Sequence, residues 1–211
     1  VYIEASAFRA CSKLSAIDIP ASVLSVGEYA FQECTDLSKV TLHDGTQTIG
    51  KDAFVTCGNL SSVTLPESLV SIGKSAFSSC TSLTSVVVPK NIKTIEPNTF
   101  RSCSSLTNIV LPDSLVTIGE SAFQGCGMSQ IRIPDNVSVF GSYAFAGCES
   151  LTSVAIPKSM ASIARGAFYN CSNLTSVTIP EGVTTIGIEA FRSCNLLSLS
   201  LPQSLTTIAG G

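Results

Sequence analysis

Ile72-Gly73-Lys74-Ser75-Ala76-Phe77-Ser78-Ser79-Cys80-Thr81-Ser82-Leu83-Thr84-Ser85-Val86-Val87-Val88 shows, in one pass, almost every element of a unit that the rest of the chain repeats. Phenylalanine stands at positions 8, 31, 54, 77, 100, 123, 145, 168 and 191, a spacing of 23 residues broken once by 22. The other recurring positions keep step with it, so the unit is I-G-x-x-A-F-x-x-C-x-x-L-x-x-V-x-I-P-x-x-L-x-x. Self-similarity at a fixed period of this size specifies a solenoid in which each unit is one coil. A scaffold of that kind carries no chemistry of its own, so function must be argued from its surface.

The nine in-phase units of this 211-residue chain leave no internal linker, which predicts one solenoid over residues 1–211. The chain enters the pattern part-way through a coil and stops at Ala209-Gly210-Gly211, where the next A-F is due; a piece of a longer protein is the expectation. Net charge is −3, only 13% of residues are charged, and the 12 Lys and Arg form no run. That balance argues against a nucleic-acid partner. No 18 consecutive residues are apolar, so this segment is not expected to insert in a membrane.

Within a coil, L-x-x-V-x-I-P (for example Leu174 to Pro180) alternates apolar and small polar positions, the pattern of a strand with one buried face. Proline then interrupts the ladder and forces a turn. A shorter L-x-x-I-G pattern, such as Leu69 to Gly73, reads as a second brief extended segment. Gly27, Gly50, Gly73, Gly119, Gly141 and Gly187 close it, which suggests a corner at positive φ. The piece x-x-A-F-x-x-C fits one helical or 3₁₀ turn with Ala, Phe and Cys on one face. One coil buries too few side chains to offset ordering its own residues, so stability should come from stacking. Phe31, Phe54, Phe77, Phe100, Phe123, Phe145 and Phe168 are the expected spine of the core.

Cys34, Cys57, Cys80, Cys103, Cys126, Cys148 and Cys171, with Cys11 and Cys194 at either end, each follow the Phe by three residues. One thiol per coil in a line does not converge four ligands on a metal. Parallel Cβ vectors and an odd count disfavour disulfide pairing. These cysteines therefore read as small buried hydrophobes beside the Phe column, and no metal or other cofactor is expected. His43, the only histidine, replaces a proline, and no catalytic triad, zinc motif or phosphate loop assembles around it. The acidic residues that recur after the proline, among them Glu67 and Asp113, read as a solvated edge with weak ion pairs. No catalytic residue is assigned, and an enzyme is not expected.

The outward positions of the main strand are small and mostly neutral. The candidate partner-binding residues on that face are Thr64, Ser85, Val87, Asn108, Val110, Gln130, Arg132, Ser153, Ala155 and Thr178, with Val87, Val110 and Ala155 an apolar stretch interrupted by Arg132. The second segment carries its own file of hydroxyls (Ser25, Thr48, Ser71, Thr94, Thr117, Ser162, Thr185 and Thr207, interrupted by Val139). This file suits any exposed strand; ice or a polysaccharide lattice is its functional alternative. Two coils lose one residue between Cys and Pro, Cys126 to Pro134 and Cys194 to Pro202, and the stack is expected to be perturbed there.

The motifs Leu151 to Cys171 and Leu174 to Cys194 closely resemble the BspA-like leucine-rich repeat, with departures at His43, Glu96-Pro97, Thr99 and Ala164. The resemblance implies a right-handed leucine-rich-repeat solenoid in secreted or surface-attached proteins, several of them adhesins, with no catalytic residues in the repeat. The expectation is a non-enzymatic binding or adhesion module at the cell surface or outside the cell, engaging protein or glycan through a concave strand face. The alternative is a structural protein that stacks end to end through its uncapped ends.

Overall fold

The computed structural model describes residues 1–210 as a parallel β-solenoid of about nine turns. Two ranks of strands alternate along it. The short rank comprises β1 (Tyr2–Ile3), β3 (Ser25–Val26), β5 (Thr48–Ile49), β7 (Ser71–Ile72), β9 (Thr94–Ile95), β11 (Thr117–Ile118), β12 (Val139–Phe140), β14 (Ser162–Ile163), β16 (Thr185–Ile186) and β17 (Thr207–Ile208). The principal rank comprises β2 (Ala16–Ile19), β4 (Lys39–Leu42), β6 (Ser62–Thr64), β8 (Ser85–Val87), β10 (Asn108–Val110), β13 (Ser153–Ala155) and β15 (Ser176–Thr178). Equivalent residues pair in register from coil to coil, Val40 with Val63 and Val86 with Ile109. Identical repeats therefore stack identical side chains.

The Phe-bearing corner departs from the helical or 3₁₀ turn expected from sequence: no helix occurs among the described residues. In each coil the residues two before and two after the Phe take left-handed φ, as at Ser75 (φ 55) and Ser79 (φ 60). Between them the backbone alternates its partners. Ala76 and Cys80 N–H close turns onto Gly73 and Phe77 O, whereas Phe77 and Ser79 N–H reach Thr99 and Arg101 O of the next coil. A 3₁₀ turn would spend every N–H locally; this arrangement uses alternate ones for stacking. Small or polar residues that tolerate left-handed φ fill most of those positions.

The corner glycines also differ from expectation. None of Gly27, Gly50, Gly73, Gly119, Gly141 and Gly187 has positive φ. A Cβ on Gly73 would lie 2.6 Å from Gly50 C and Lys51 N in the preceding coil. Glycine is present because two backbones approach there, not because the chain bends left-handed. Glu96 and Ala164 occupy the same position, and the short rank breaks at both. It separates into β1-β3-β5-β7, β9-β11-β12 and β14-β16-β17. Ala209, at the last described turn with a neighbour on one side only, carries a Cβ yet keeps its bond to Ile186 O at 2.9 Å.

The phenylalanines form one stack. Successive rings from Phe8 to Phe191 lie 5.1–5.7 Å apart and within 14° of parallel, inside the favourable range for aromatic pairs. Phe31 to Phe168 are fully buried, Phe8 is 38% exposed and Phe191 half-buried. Thr99 replaces Ala in one coil; it is buried, and its hydroxyl donates to Glu96 O at 2.8 Å. Phe140, in place of Ile, meets Phe145 and Phe168 edge-on.

Cys34 through Cys171 are buried and free; Cys11 is exposed and Cys194 intermediate. From Cys34 onward each thiol donates to the carbonyl of the preceding coil's Phe at 3.1–3.2 Å, as Cys80 does to Phe54 O. The position thus needs a small side chain that is apolar in bulk yet donates a weak hydrogen bond. Burial raises the Cys57, Cys103 and Cys148 thiols from 9.0 to about 12. Many Ser and Thr side chains are used the same way. Ser38, Ser61, Thr84, Thr152 and Thr175 each donate to a carbonyl 23 residues earlier. Much of the hydroxyl content is therefore inter-coil bonding.

Candidate functional site

All ten residues singled out on the main-strand face are exposed; the eight that lie on strands alternate there with inward-facing Val and Ile. Register brings Ser85 beside Asn108 and Val87 beside Val110, and further along Ser153 beside Ser176 and Ala155 beside Thr178. The apolar part is open to solvent, with Val87 63% and Val110 50% exposed.

Between these two runs the face is interrupted. In the coil that loses one residue between Cys126 and Pro134, Gln130 to Ile133 form no strand, and the principal sheet divides into β10-β8-β6-β4-β2 and β13-β15. One residue fewer removes the register needed to alternate faces and bond both neighbours. Among the described residues, the backbone groups of Gln130, Ile131, Arg132 and Ile133 bond to neither adjoining coil. The other shortened coil, Cys194 to Pro202, likewise has no principal strand.

The seam lies in a depression of about 460 Å³ lined by Thr107, Asn108, Ile109, Gln130, Ile131, Arg132, Ser153, Val154 and Ala155. Five of the ten candidates, Asn108, Gln130, Arg132, Ser153 and Ala155, are brought together here. Thr64, Ser85, Val87, Val110 and Thr178 lie outside it. Arg132 Nη1 reaches Asp113 Oδ1 at 3.0 Å, a carboxylate that sequence reasoning placed only on a solvated edge. Both side chains are largely exposed, so the pair contributes little stability and serves to orient the guanidinium.

A second depression, of about 470 Å³, lies at the other end of the face between Ala16, Ile17, Asp18, Lys39, Thr41 and His43. His43 Nε2 sits 2.7 Å from Asp18 Oδ1, and the His43 backbone N–H, a group proline lacks, donates to Ile19 O at 3.1 Å. That extra bond accounts for β2 and β4 running four residues where the other principal strands run three. Among the described residues no three His, Cys, Asp or Glu side chains group in a way that would hold a metal ion, and no helix is long and apolar enough to cross a membrane. The hydroxyl file is not one continuous lattice. Glu96 and Ala164 break its ladder, and Val139 interrupts it.

An in-register parallel solenoid of 22–23-residue coils with an aromatic spine defines a leucine-rich-repeat scaffold, a class that typically serves as a non-enzymatic binding surface. The BspA type leucine rich repeat region matches residues 1–105 and 93–210, with six copies. The chain belongs to that family. Among solved structures, a leucine-rich repeat protein of Bacteroides ovatus ATCC 8483 is 27% identical, with a TM-score of 0.64 over 99% of this chain and 76% of that one. The leucine-rich repeat protein of T. pallidum is 30% identical, with a TM-score of 0.60 over 87% and 78%. A leucine-rich cell surface protein of Faecalibacterium prausnitzii A2-165 shares the fold at 23% identity, with a TM-score of 0.69 over 99% and 82%. No curated protein matches the chain.

Proposed function

We propose that this chain is a non-enzymatic recognition module of a secreted or cell-surface protein, and that it binds a protein or glycan through the outer face of its principal strands. The observation that carries this reading is the seam at Gln130 to Ile133. Strand backbone normally spends its N–H and C=O groups on neighbouring coils; here Gln130 to Ile133 bond to neither neighbour, and three of the four, Gln130, Ile131 and Arg132, line a depression beside Asn108 and Ser153. A ligand that pairs with them gains hydrogen bonds at a face already fixed by the stack, with little ordering cost. Surface location draws support from the F. prausnitzii protein, which is described as a cell surface protein. The apolar stretch of Val87, Val110 and Ala155 adds contact area beside the polar seam.

The test is biolayer interferometry of the chain against a panel of extracellular matrix proteins and immobilised glycans. A specific ligand should bind at least tenfold more weakly to Arg132→Ala combined with Asn108→Ala. A ligand whose affinity is indifferent to both substitutions refutes the assignment of this face. Concentration-dependent filaments in light scattering, with no ligand found, would favour end-to-end self-assembly instead.

A further inference from the structure

The corner of the solenoid, on the side of the Phe turn, carries a further depression of a different composition. The position two residues after the Phe is occupied in successive coils by Ala10, Glu33, Thr56, Ser79, Ser102, Gly125, Gly147, Asn170 and Ser193. Only two adjacent coils present no side chain there. Over them lies a trough of about 320 Å³, walled by Tyr169 and rimmed by Arg101, Gln124, Glu149 and Asn170. Its volume is at the lower end for small-molecule sites.

Tyr169 is the only aromatic residue in the position directly after the Phe, and neighbouring groups hold it in place. The Arg192 guanidinium lies over its ring at 5.8 Å, and Tyr143 meets it edge-on at 6.4 Å and 81°. Tyr143 is itself seated over Gly166, where a Cβ would fall 2.3 Å from the Tyr143 ring, and Arg165 covers it at 5.9 Å. The polar heads around the trough are uncommitted. Among the described residues, the side chains of Arg101, Gln124, Glu149 and Asn170 make no hydrogen bond or ion pair.

We propose that this trough is a binding subsite for one neutral sugar ring of a glycan. A pyranose has an apolar C–H face and a rim of hydroxyls that each donate and accept. An aromatic wall takes the first by dispersion and C–H to π contact. Planar amide, guanidinium and carboxylate groups take adjacent hydroxyls in pairs. One cation and one anion on the rim leave no net charge, which disfavours a phosphate or sulfate. The subsite lies away from the principal-strand face and does not depend on it.

Glycine is not required here by the backbone. Gly125 (φ 71) and Gly147 (φ 66) share the left-handed conformation that Glu33, Thr56, Ser79, Ser102, Asn170 and Ser193 adopt with side chains. A Cβ would meet nothing nearer than 3.7 Å at Gly125 and 3.8 Å at Gly147. The substitutions Gly125→Asn and Gly147→Asn copy Asn170 of the next coil and should fill the trough without unfolding the chain.

The experiment is saturation-transfer difference NMR of the whole chain with the methyl glycosides of glucose, galactose, mannose and N-acetylglucosamine. At least one should bind at millimolar affinity, the range for so small a ligand, with saturation strongest on ring C–H protons. Gly125→Asn with Gly147→Asn, and separately Tyr169→Ala, should each weaken binding about tenfold or more, while Gly58→Ala leaves it unchanged. The proposal is overturned if none of the four sugars binds at millimolar concentration. It is also overturned if the double Asn variant, with an unaltered circular dichroism melt, binds as before. Loss on Arg132→Ala but not on filling the trough would place the sugar on the principal face and overturn it too.

Discussion

Replacing Gly73 by Ala tests why the coil needs glycine. Its new Cβ would sit 2.6 Å from the backbone of Gly50 and Lys51, and ordinary contact begins at 3.4 Å. Ala209, in the last described turn, holds the equivalent bond at 2.9 Å; with coils packed on both sides of Gly73, relief instead requires the coils to part by about 0.8 Å, which stretches the Gly73 N to Ile49 O bond from 2.8 Å to about 3.6 Å, past the limit of a hydrogen bond. Glu96 and Ala164 show the consequence. At both, the bond equivalent to Gly73 N to Ile49 O is absent, and so is the one equivalent to Val70 N to Gln47 O. Two backbone bonds at about 0.5–1.5 kcal/mol each put the cost of Gly73→Ala near 2 kcal/mol. Urea denaturation followed by circular dichroism reads this directly. Gly58, with ordinary φ and only Thr81 Oγ1 near at 3.7 Å, is the control; Gly58→Ala should be neutral or stabilising by up to about 1 kcal/mol. A left-handed corner would instead make Gly73→Asn milder than Gly73→Ala. That result, or a Gly73→Ala cost below about 0.5 kcal/mol, refutes the close-approach account.

The Phe stack should be strongest at its middle. Phe100→Ala, fully buried between two parallel rings, should cost about 3–5 kcal/mol, whereas Phe8→Ala, 38% exposed with one ring neighbour, should cost less than half as much; equal losses would contradict a stacked spine. The thiol column should make the fold sensitive to alkali. Burial raises Cys57, Cys103 and Cys148 from 9.0 to about 12, so the folded chain keeps protons that the unfolded chain releases. Stability is full below pH 9 and declines as pH climbs towards 12, by about 1.4 kcal/mol per pH unit for each thiol. Denaturation midpoints across that window should fall, and Cys57→Ala with Cys103→Ala should flatten the slope; an unchanged slope would remove the thiols as its cause.

The repeat, its strands and the buried spine were legible because each rests on periodicity. Phe, Cys, Leu and Val recur at fixed positions, and period alone aligns them. The conformation of the corner was not legible. Ser75 and Ser79 take left-handed φ without being glycine, and Gly73 is glycine without taking it; both result from how one coil lies on the next, which no single coil encodes. The shortened coil at Cys126 to Pro134 was visible as a lost residue, and its effect, a seam in the sheet, was visible only once neighbouring strands were in place. The role of Asp113 was not legible because its partner Arg132 stands 19 residues on. Tyr169 and the Gly125–Gly147 gap are not legible from any single coil. Their signal lay in the columns: an aromatic and two adjacent glycines at positions that elsewhere carry polar or small side chains.

The interruptions fall on the two strand ranks and spare the Phe side. The short rank breaks at Glu96 and Ala164, the principal rank at Gln130 to Ile133 and again in the last coil. Two of these coincide. The coil that runs from Gln130 to Phe140 pairs through neither rank with the coil that carries β13 and β14. Across that interface the ladder from Phe N–H to the next coil continues, Phe145 N reaching Ala167 O at 2.9 Å, and the Phe145 and Phe168 rings stay 5.4 Å apart. A nearest-neighbour array fails where one interface loses everything; here the Phe side, helped by Thr152 and Ser159 donating to Ser129 O and Val137 O, carries the interface that both ranks have left. The seam can therefore open backbone groups to a ligand without dividing the core, because Phe123, Phe145 and Phe168 remain stacked beneath it. By the same reasoning Phe145→Ala should weaken the array more than the same change at Phe54, where both strand ranks are intact. Urea midpoints that rank the two variants in the opposite order would show that the ladders do not compensate for one another.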